Sequence, residues 1–214
     1  GREFTYDTVC VNGEPRYENV AEYLPRPLIA RSNEWISPII ITVRHLQQPH
    51  IQKGIQLGKG VLKALNMGDG FTHMEWYLTH SGEVVFGEIG CRPGGAHLVD
   101  QMNYTSDIDL FREWARAICW KDVHIQNPRL YNCAIIFKRA HGNGVIHRIE
   151  GLRNYLQQYG AAVAVENLLK PGQRRRDWNA TLVSDGFLII RHPDWRVAQV
   201  HAEKVATDIH LFAG

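Results

Sequence analysis

No Cys-x-x-Cys pair occurs among the four cysteines, Cys10, Cys91, Cys119 and Cys133, which stand far apart in the chain. That spacing gives neither a zinc site nor a disulfide frame, and it reads as the reduced thiols of a cytoplasmic protein. No apolar run approaches the ~20 residues of a membrane-spanning helix; the longest, around Ile39-Ile40-Ile41, is strand-sized. Neither a secretory signal nor an initiator methionine opens the chain. Gly1-Arg2 runs directly into strand-like sequence, so the expectation is a chain that starts inside a longer protein. Internal repeats and low-complexity segments are missing as well. A charge excess of either sign is lacking: 24 basic against 22 acidic residues leave a formal charge of +2, which weighs against a dedicated nucleic-acid binder. The one basic run, Arg174-Arg175-Arg176, is followed by Asp177 and Trp178 and reads first as solvated surface, with a phosphate or acidic partner second.

What is there is an ordinary globular composition. With 44% hydrophobic residues in 214, the chain can bury a core without disulfides, as one large domain or two small ones. Glu3 to Val11 alternates and is followed by Asn12-Gly13, the signature of a hairpin. Residues 21–37, with Pro25 and Pro27, show little periodicity and read as a surface loop. From Pro49 to about Asn66, Ile51, Ile55, Leu62 and Leu65 recur at helical spacing. Gly54, Gly58 and Gly60 weaken that helix but let a neighbour approach closely. A short helix is predicted from about His97 and a clearer one from Asp107 to Trp120, with Leu110, Trp114, Ala117 and Ile118 on one side. Residues 121–130, with Pro128, form a polar linker dividing a first unit, 1–120, from a second, 131–214. In the second, strands are predicted at Cys133–Lys138, Val145–Ile149, Ala162–Glu166, Asn179–Val183 and Phe187–Arg191. Helices are predicted at Gly151–Tyr159 and from Pro193 onward, the latter striped by Val197, Val205, Ile209 and Phe212. This order implies a small α+β sandwich appended to the first unit.

The most informative stretch is Phe71 to Ile89, which reads as a hairpin with a two-residue Ser81-Gly82 turn. That register pairs Thr79 with Val84, Tyr77 with Phe86 and Glu75 with Glu88. It puts Glu75, Glu88, His73, Tyr77 and Phe86 on one face and Met74, Trp76, Leu78, Val85 and Ile89 on a core face. Two glutamates directly opposed, Cβ atoms ~5 Å apart, destabilise a sheet unless something compensates them. A shared proton, an arginine or a divalent cation would each serve. Arg92 follows four residues after Glu88, in the loop Gly90-Cys91-Arg92-Pro93-Gly94-Gly95 that leads into a helix. Arginine is a bidentate donor to phosphate, and glycines let backbone N–H groups approach an anion. Two carboxylates for Mg²⁺ beside such a loop are the parts that phosphoryl chemistry needs.

Glu75 followed by Glu88-Ile89-Gly90-Cys91-Arg92-Pro93-Gly94-Gly95 resembles the metal-binding signature of the ATP-grasp superfamily. Glu3-Phe4-Thr5-x-Asp7, Met67-Gly68-Asp69-Gly70 and Asp107-Ile108-Asp109-Leu110 fit the same pattern in order, over about residues 1–120. The likeness is to the carboxylate–amine and L-amino-acid ligase branch. It implies an α+β fold: an ATP-grasp-like antiparallel sheet with flanking helices, then a small α+β C-terminal subdomain. It also implies ATP and Mg²⁺ (with Mn²⁺ as a substitute) as cofactors, Glu75 and Glu88 as metal ligands, and Arg92 with Gly94 and Gly95 at the nucleotide phosphates. Arg92 would be the catalytic residue stabilising an acyl phosphate. Independently of the resemblance, His73 faces the glutamates in this register and reads first as an ordinary hydrogen-bonded surface histidine and second as a supporting group, and His97, just after the Gly-Gly loop, is placed to touch substrate. Arg31 and Arg44 lie where such ligases receive the substrate carboxylate, although their motif match is poor.

Two departures accompany the resemblance. The family usually carries asparagine, a further metal ligand, where this chain has Gly90. The family's phosphate-covering glycine loop, nucleotide lysines and adenine hinge precede the stretch where this chain begins. The expectation is therefore the C-terminal portion of a carbon–nitrogen ligase, inactive alone, whose partners are a small carboxylate, an amine, the N-terminal part of the same protein and a second copy in a homo-oligomer. Membrane and nucleic acid are not expected. The rival expectation is a non-catalytic binding or scaffold module in which the glutamates and Arg92 form a structural ion cluster.

Overall fold

The computed structural model describes residues 1–125 and 129–214. In chain order the first half holds β1 (Arg2–Val11), β2 (Glu14–Leu24), α1 (Pro27–Ser32), β3 (Ile39–Thr42), α2 (Pro49–Ala64), β4 (Gly70–Leu78), β5 (Val84–Gly90), α3 (Leu98–Ser106) and α4 (Leu110–Trp120). The second half holds β6 (Asn132–Phe137), β7 (His141–Gly142), β8 (Ile146–Glu150), α5 (Leu152–Tyr159), β9 (Val163–Leu168), β10 (Gly186–His192), α6 (Trp195–Asp208) and β11 (His210–Ala213). The chain packs as two units, one of residues 1–22 and 42–131, the other of 23–41 and 132–214. The middle of the expected linker, 126–128 with Pro128, lies outside the described residues.

In the first unit the strands run β5-β4-β1-β2, all antiparallel. Even-numbered residues of β1 and β4 make one face: Phe4 opposite Trp76, Tyr6 opposite Met74 and Thr8 opposite Thr72. This face packs on α2. A Cβ added at Gly54 or Gly58 would strike Trp76 or Tyr6, so the two glycines are what let the helix lie this close. Odd-numbered residues make the other face. At one end it is apolar, with Val9 opposite Phe71 and Phe71 edge-on to Trp114 of α4. At the other end it is polar, with Asp7 opposite His73 and Thr5 opposite Glu75. Thr5, Asp7 and His73 are all buried, so these polar groups need partners of their own.

The second unit has an antiparallel set β3-β6-β10-β9 and a separate three-stranded set β7-β11-β8, in which β11 runs parallel to β7 and antiparallel to β8. Its core gathers Ile41, Ile136, Leu188 and Ile190 with Ala198, Ala202 and Val205 of α6. Asp194 caps α6 by accepting from the Val197 N–H at 2.9 Å. At the other end the buried Lys138 ammonium donates to the carbonyls of Val205 (3.1 Å) and Ala206 (2.7 Å), meeting the unpaired acceptors and negative dipole of the helix terminus.

The architecture is the expected α+β one. Several expected elements are not as read. Residues 21–37 are no plain loop: β2 continues to Leu24 and α1 follows, with Pro27 in its first turn where a missing N–H costs nothing. Asn179–Val183 forms turns rather than a strand. The stripe assigned to the last helix stops at Asp208, because Ile209 already has extended dihedrals and Phe212 lies in β11. Leu65 and Ile118, counted in the apolar stripes of their helices, are 62% and 46% exposed.

Candidate functional site

Glu75 of β4 and Glu88 of β5 are direct cross-strand partners. The route to that pairing differs from the expected one. The turn has three residues, His80-Ser81-Gly82, closed by the Thr79 N–H to Glu83 carbonyl bond at 2.9 Å, with Gly82 at φ +81° in the left-handed position. From there Leu78 faces Val84, Tyr77 faces Val85 and Trp76 faces Phe86, each one residue off the expected register. An irregularity at Gly87 then shifts the pairing back, so that Glu75 faces Glu88, Met74 faces Ile89 and His73 faces Gly90. Phe86 is therefore on the Trp76 face and Val85 on the Tyr77 face, the reverse of expectation. On this outer strand both are exposed, 42% and 47%.

Behind the glutamates lies a buried polar chain. Asp7, with no exposed surface, accepts from Thr5 Oγ1 at 2.8 Å and from Asn19 Nδ2 at 3.2 Å, and its Oδ1 stands 2.6 Å from His73 Nδ1. Arg129 reaches Asn19 Oδ1 at 2.8 Å. The other ring nitrogen of His73 is 3.9 Å from Glu75 Oε1. Burial pulls the His73 pKa down, but the charge and hydrogen bond of Asp7, helped by Glu75, outweigh it against the opposing Arg92, and the net direction is up. Glu75 keeps about a fifth of its side-chain surface (22%), while Glu88 is exposed and has no side-chain hydrogen bond among the described residues.

The loop after β5 folds toward this chain. A Cβ at Gly94 would sit 3.2 Å from His73 Nδ1, and one at Gly90 would sit 3.2 Å from Arg92 Cγ. The exposed Arg92 guanidinium bonds its neighbour's carbonyl, Pro93 O, at 3.0 Å, and Gly95 borders open space. His73, Glu75, Glu88, Arg92 and Gly94 thus gather at one end of the sheet. His97 instead takes a left-handed conformation (φ 62°) just before α3 and pairs with Asp100 at 2.8 Å. Arg44 Nε donates to the Arg129 carbonyl at 3.1 Å, and Arg31 belongs to the other unit. Within the basic run, Arg174 and Arg176 are exposed, as expected of solvated surface, and Arg176 also donates to Ser184 O at 3.0 Å; Arg175 departs from that reading, being bound to Glu34 with its side chain only 9% exposed. All four cysteines are free thiols.

Asp7 escaped the sequence reading as a site residue. Its signal was present: an acidic residue on a strand otherwise rich in Tyr, Thr and Val, on the same side of the alternation as Glu3 and Thr5. No three His, Cys, Asp or Glu side chains among the described residues already converge on one point. The donor set still fits a hard divalent cation, since two opposed carboxylates offer oxygen ligands and Mg²⁺ is commonly held by one or two carboxylates plus phosphate oxygens.

The fold is ATP-grasp-like. The chain superposes over its whole length on an L-amino acid ligase from Bacillus licheniformis with a TM-score of 0.76 at 14% identity, covering 54% of that chain. It matches the biotin carboxylase domain of the Hydrogenobacter thermophilus 2-oxoglutarate carboxylase, solved with MgADP and bicarbonate, with a TM-score of 0.66 at 15% identity over 98% of this chain and 47% of that one. In sequence it is 25% identical over 170 residues to an L-arginine-specific L-amino acid ligase of Bacillus subtilis, covering 79% of this chain and 40% of that ligase. No family model matches. The chain therefore spans about half the length of the proteins it resembles. Among the described residues no helix is long and apolar enough to cross a membrane.

Proposed function

We propose that the protein containing this chain is an ATP- and Mg²⁺-dependent carboxylate–amine ligase that works through an acyl phosphate. The observation that carries the reading is the pairing of Glu75 with Glu88 on the face to which the Arg92 loop returns. When bound, Mg²⁺ and ATP supply charge neutralisation and the phosphoryl group. Glu75 and Glu88 hold the cation, and their mutual repulsion is relieved by it. Arg92, unburied and free to swing from Pro93 O, binds the γ-phosphate and the charge that develops as it transfers. Gly94 and Gly95 leave the loop backbone open to phosphate oxygens. The carboxylate and amine substrates are small molecules.

Glu88→Gln in the full-length protein tests this. Substrate-dependent ADP release should fall on the order of 10²-fold or more, the scale of losing one preorganised electrostatic group, with the fold unchanged by circular dichroism. Undiminished ADP release by the variant would reject the metal role of Glu88. If no ADP is released with any carboxylate and amine pair and Glu88→Gln leaves a binding function intact, the non-catalytic scaffold is the better reading.

A further inference from the structure

A buried carboxylate hydrogen-bonded to one nitrogen of a histidine fixes the ring and leaves the other nitrogen's lone pair pointing away, which is how proteins present imidazole to a metal. Asp7 and His73 have this form. Asp7 cannot turn: Thr5, Asn19 and His73 hold both its oxygens, and Arg129 holds Asn19. His73 is itself only 6% exposed. Its Nε2 lies 3.9 Å from Glu75 Oε1, beyond hydrogen-bond length. Two metal–ligand bonds of about 2.1 Å each span up to about 4.2 Å, so a single cation can touch both atoms.

The cross-strand neighbour of His73 is Gly90. Glycine supplies no side-chain donor, and the space beside its Cα is taken by the Arg92 side chain, 3.2 Å and 3.3 Å from where a Cβ would stand. The donor missing from one strand is therefore matched by a donor directly across on the next, on the face that carries both glutamates. Glu88, the cross-strand partner of Glu75, is exposed and makes no side-chain hydrogen bond among the described residues, and it would have to rotate to complete the set.

We propose that His73 Nε2 is the third protein ligand of a divalent cation held with Glu75 and Glu88, with Asp7 as the group that orients it. This rests on the ligase reading only in that a cation occupies the glutamate pair. One nitrogen among oxygen donors moves the preference away from Mg²⁺ toward transition ions such as Mn²⁺ and Co²⁺.

The probe is Mn²⁺ bound to the full-length protein with ADP, observed by electron spin echo envelope modulation. A single directly bound ¹⁴N is expected, replaced by ¹⁵N coupling when only histidine is ¹⁵N-labelled. His73→Gln should abolish it and lower the Mn²⁺ affinity ~10–100-fold, the scale for disturbing a ligand or its support, with a smaller loss for Mg²⁺. Asp7→Asn should weaken Mn²⁺ binding while keeping the nitrogen coupling. The isotope label assigns the nitrogen even if His73→Gln misfolds. Mn²⁺ that binds, is lost in Glu88→Gln and shows no histidine nitrogen overturns the role of His73 and leaves the ligase reading standing. Failure of the wild-type protein to bind Mn²⁺ with ADP overturns both.

Discussion

Helix α2 contains a stability experiment with its own control. Gly54, Gly58 and Gly60 all lie inside it, and in each case alanine would gain about 0.8–1.0 kcal/mol of helix propensity. Their surroundings differ. A Cβ at Gly60 meets nothing within 4 Å, so Gly60→Ala should stabilise by roughly 0.4–1 kcal/mol. A Cβ at Gly54 would stand 2.3 Å from Trp76 Cζ2, and one at Gly58 2.2 Å from Tyr6 Cδ1. Neither ring can retreat cheaply. Trp76 has no exposed surface, stacks on Phe4 at 4.6 Å and donates its indole N–H to Thr5 O at 3.2 Å. Tyr6 is 1% exposed and its hydroxyl donates to Glu18 at 2.7 Å. Overpacking such a contact costs about 1–3 kcal/mol and, with clashes this deep, the upper part of that range applies. After the propensity gain, Gly54→Ala and Gly58→Ala should each lose roughly 1–2 kcal/mol. In a chain of this size that lowers the melting temperature by about 2–8 °C, while Gly60→Ala raises it by a few degrees. Urea titration of the three variants reads the signs directly. If Gly54→Ala is stabilised as Gly60→Ala is, the close approach of α2 to the sheet is wrong.

Other outcomes follow from single groups. Burial pushes the Lys138 pKa down to about 8, with Asp208 opposing, so the native state holds fewer protons than the unfolded chain between about pH 8 and its unfolded value near 10.5. Stability should then climb with pH through that window by up to ~3 kcal/mol relative to Lys138→Met; parallel urea-midpoint curves for the two proteins would refute the burial argument. Gly87→Ala would place a Cβ 2.8 Å from Glu75 O, and should cost about 1–3 kcal/mol; wild-type stability in chemical denaturation would count against the irregularity.

Most element types were legible because their patterns are local. The alternation of Glu3–Val11, the Asn12-Gly13 turn and the helical spacing of Ile51, Ile55 and Leu62 each stand on a few neighbouring residues, and each appears in the fold. What escaped depends on distant partners. Residues 210–213 form a strand because Glu150 and His141 lie beside them, and helix-like spacing of Ile209 and Phe212 could not say so. Asn179–Val183 has strand composition, but Asp177 bonds the Asn179 amide and turns the chain. The role of Asp7 depends on the β1–β4 register, which local pattern does not contain.

The glutamate pairing itself was reached by two deviations that offset each other. A three-residue turn moves every pair of the hairpin by one position, and a one-residue slip sends side chains to the opposite face. Continued through β5, that register would put Glu88 opposite Met74, against α2, and Ile89 opposite His73. The extra residue at Gly87 reverses the slip before either happens, so Ile89 meets Met74 and Glu88 meets Glu75. Glycine is required there, since any Cβ would lie 2.8 Å from the Glu75 carbonyl. A carboxylate delivered across from another carboxylate, on the last strand of this unit's sheet, by a dedicated break in the ladder has no stabilising role in the sheet. A cation held between the two, as proposed above, would give that placement its physical reason.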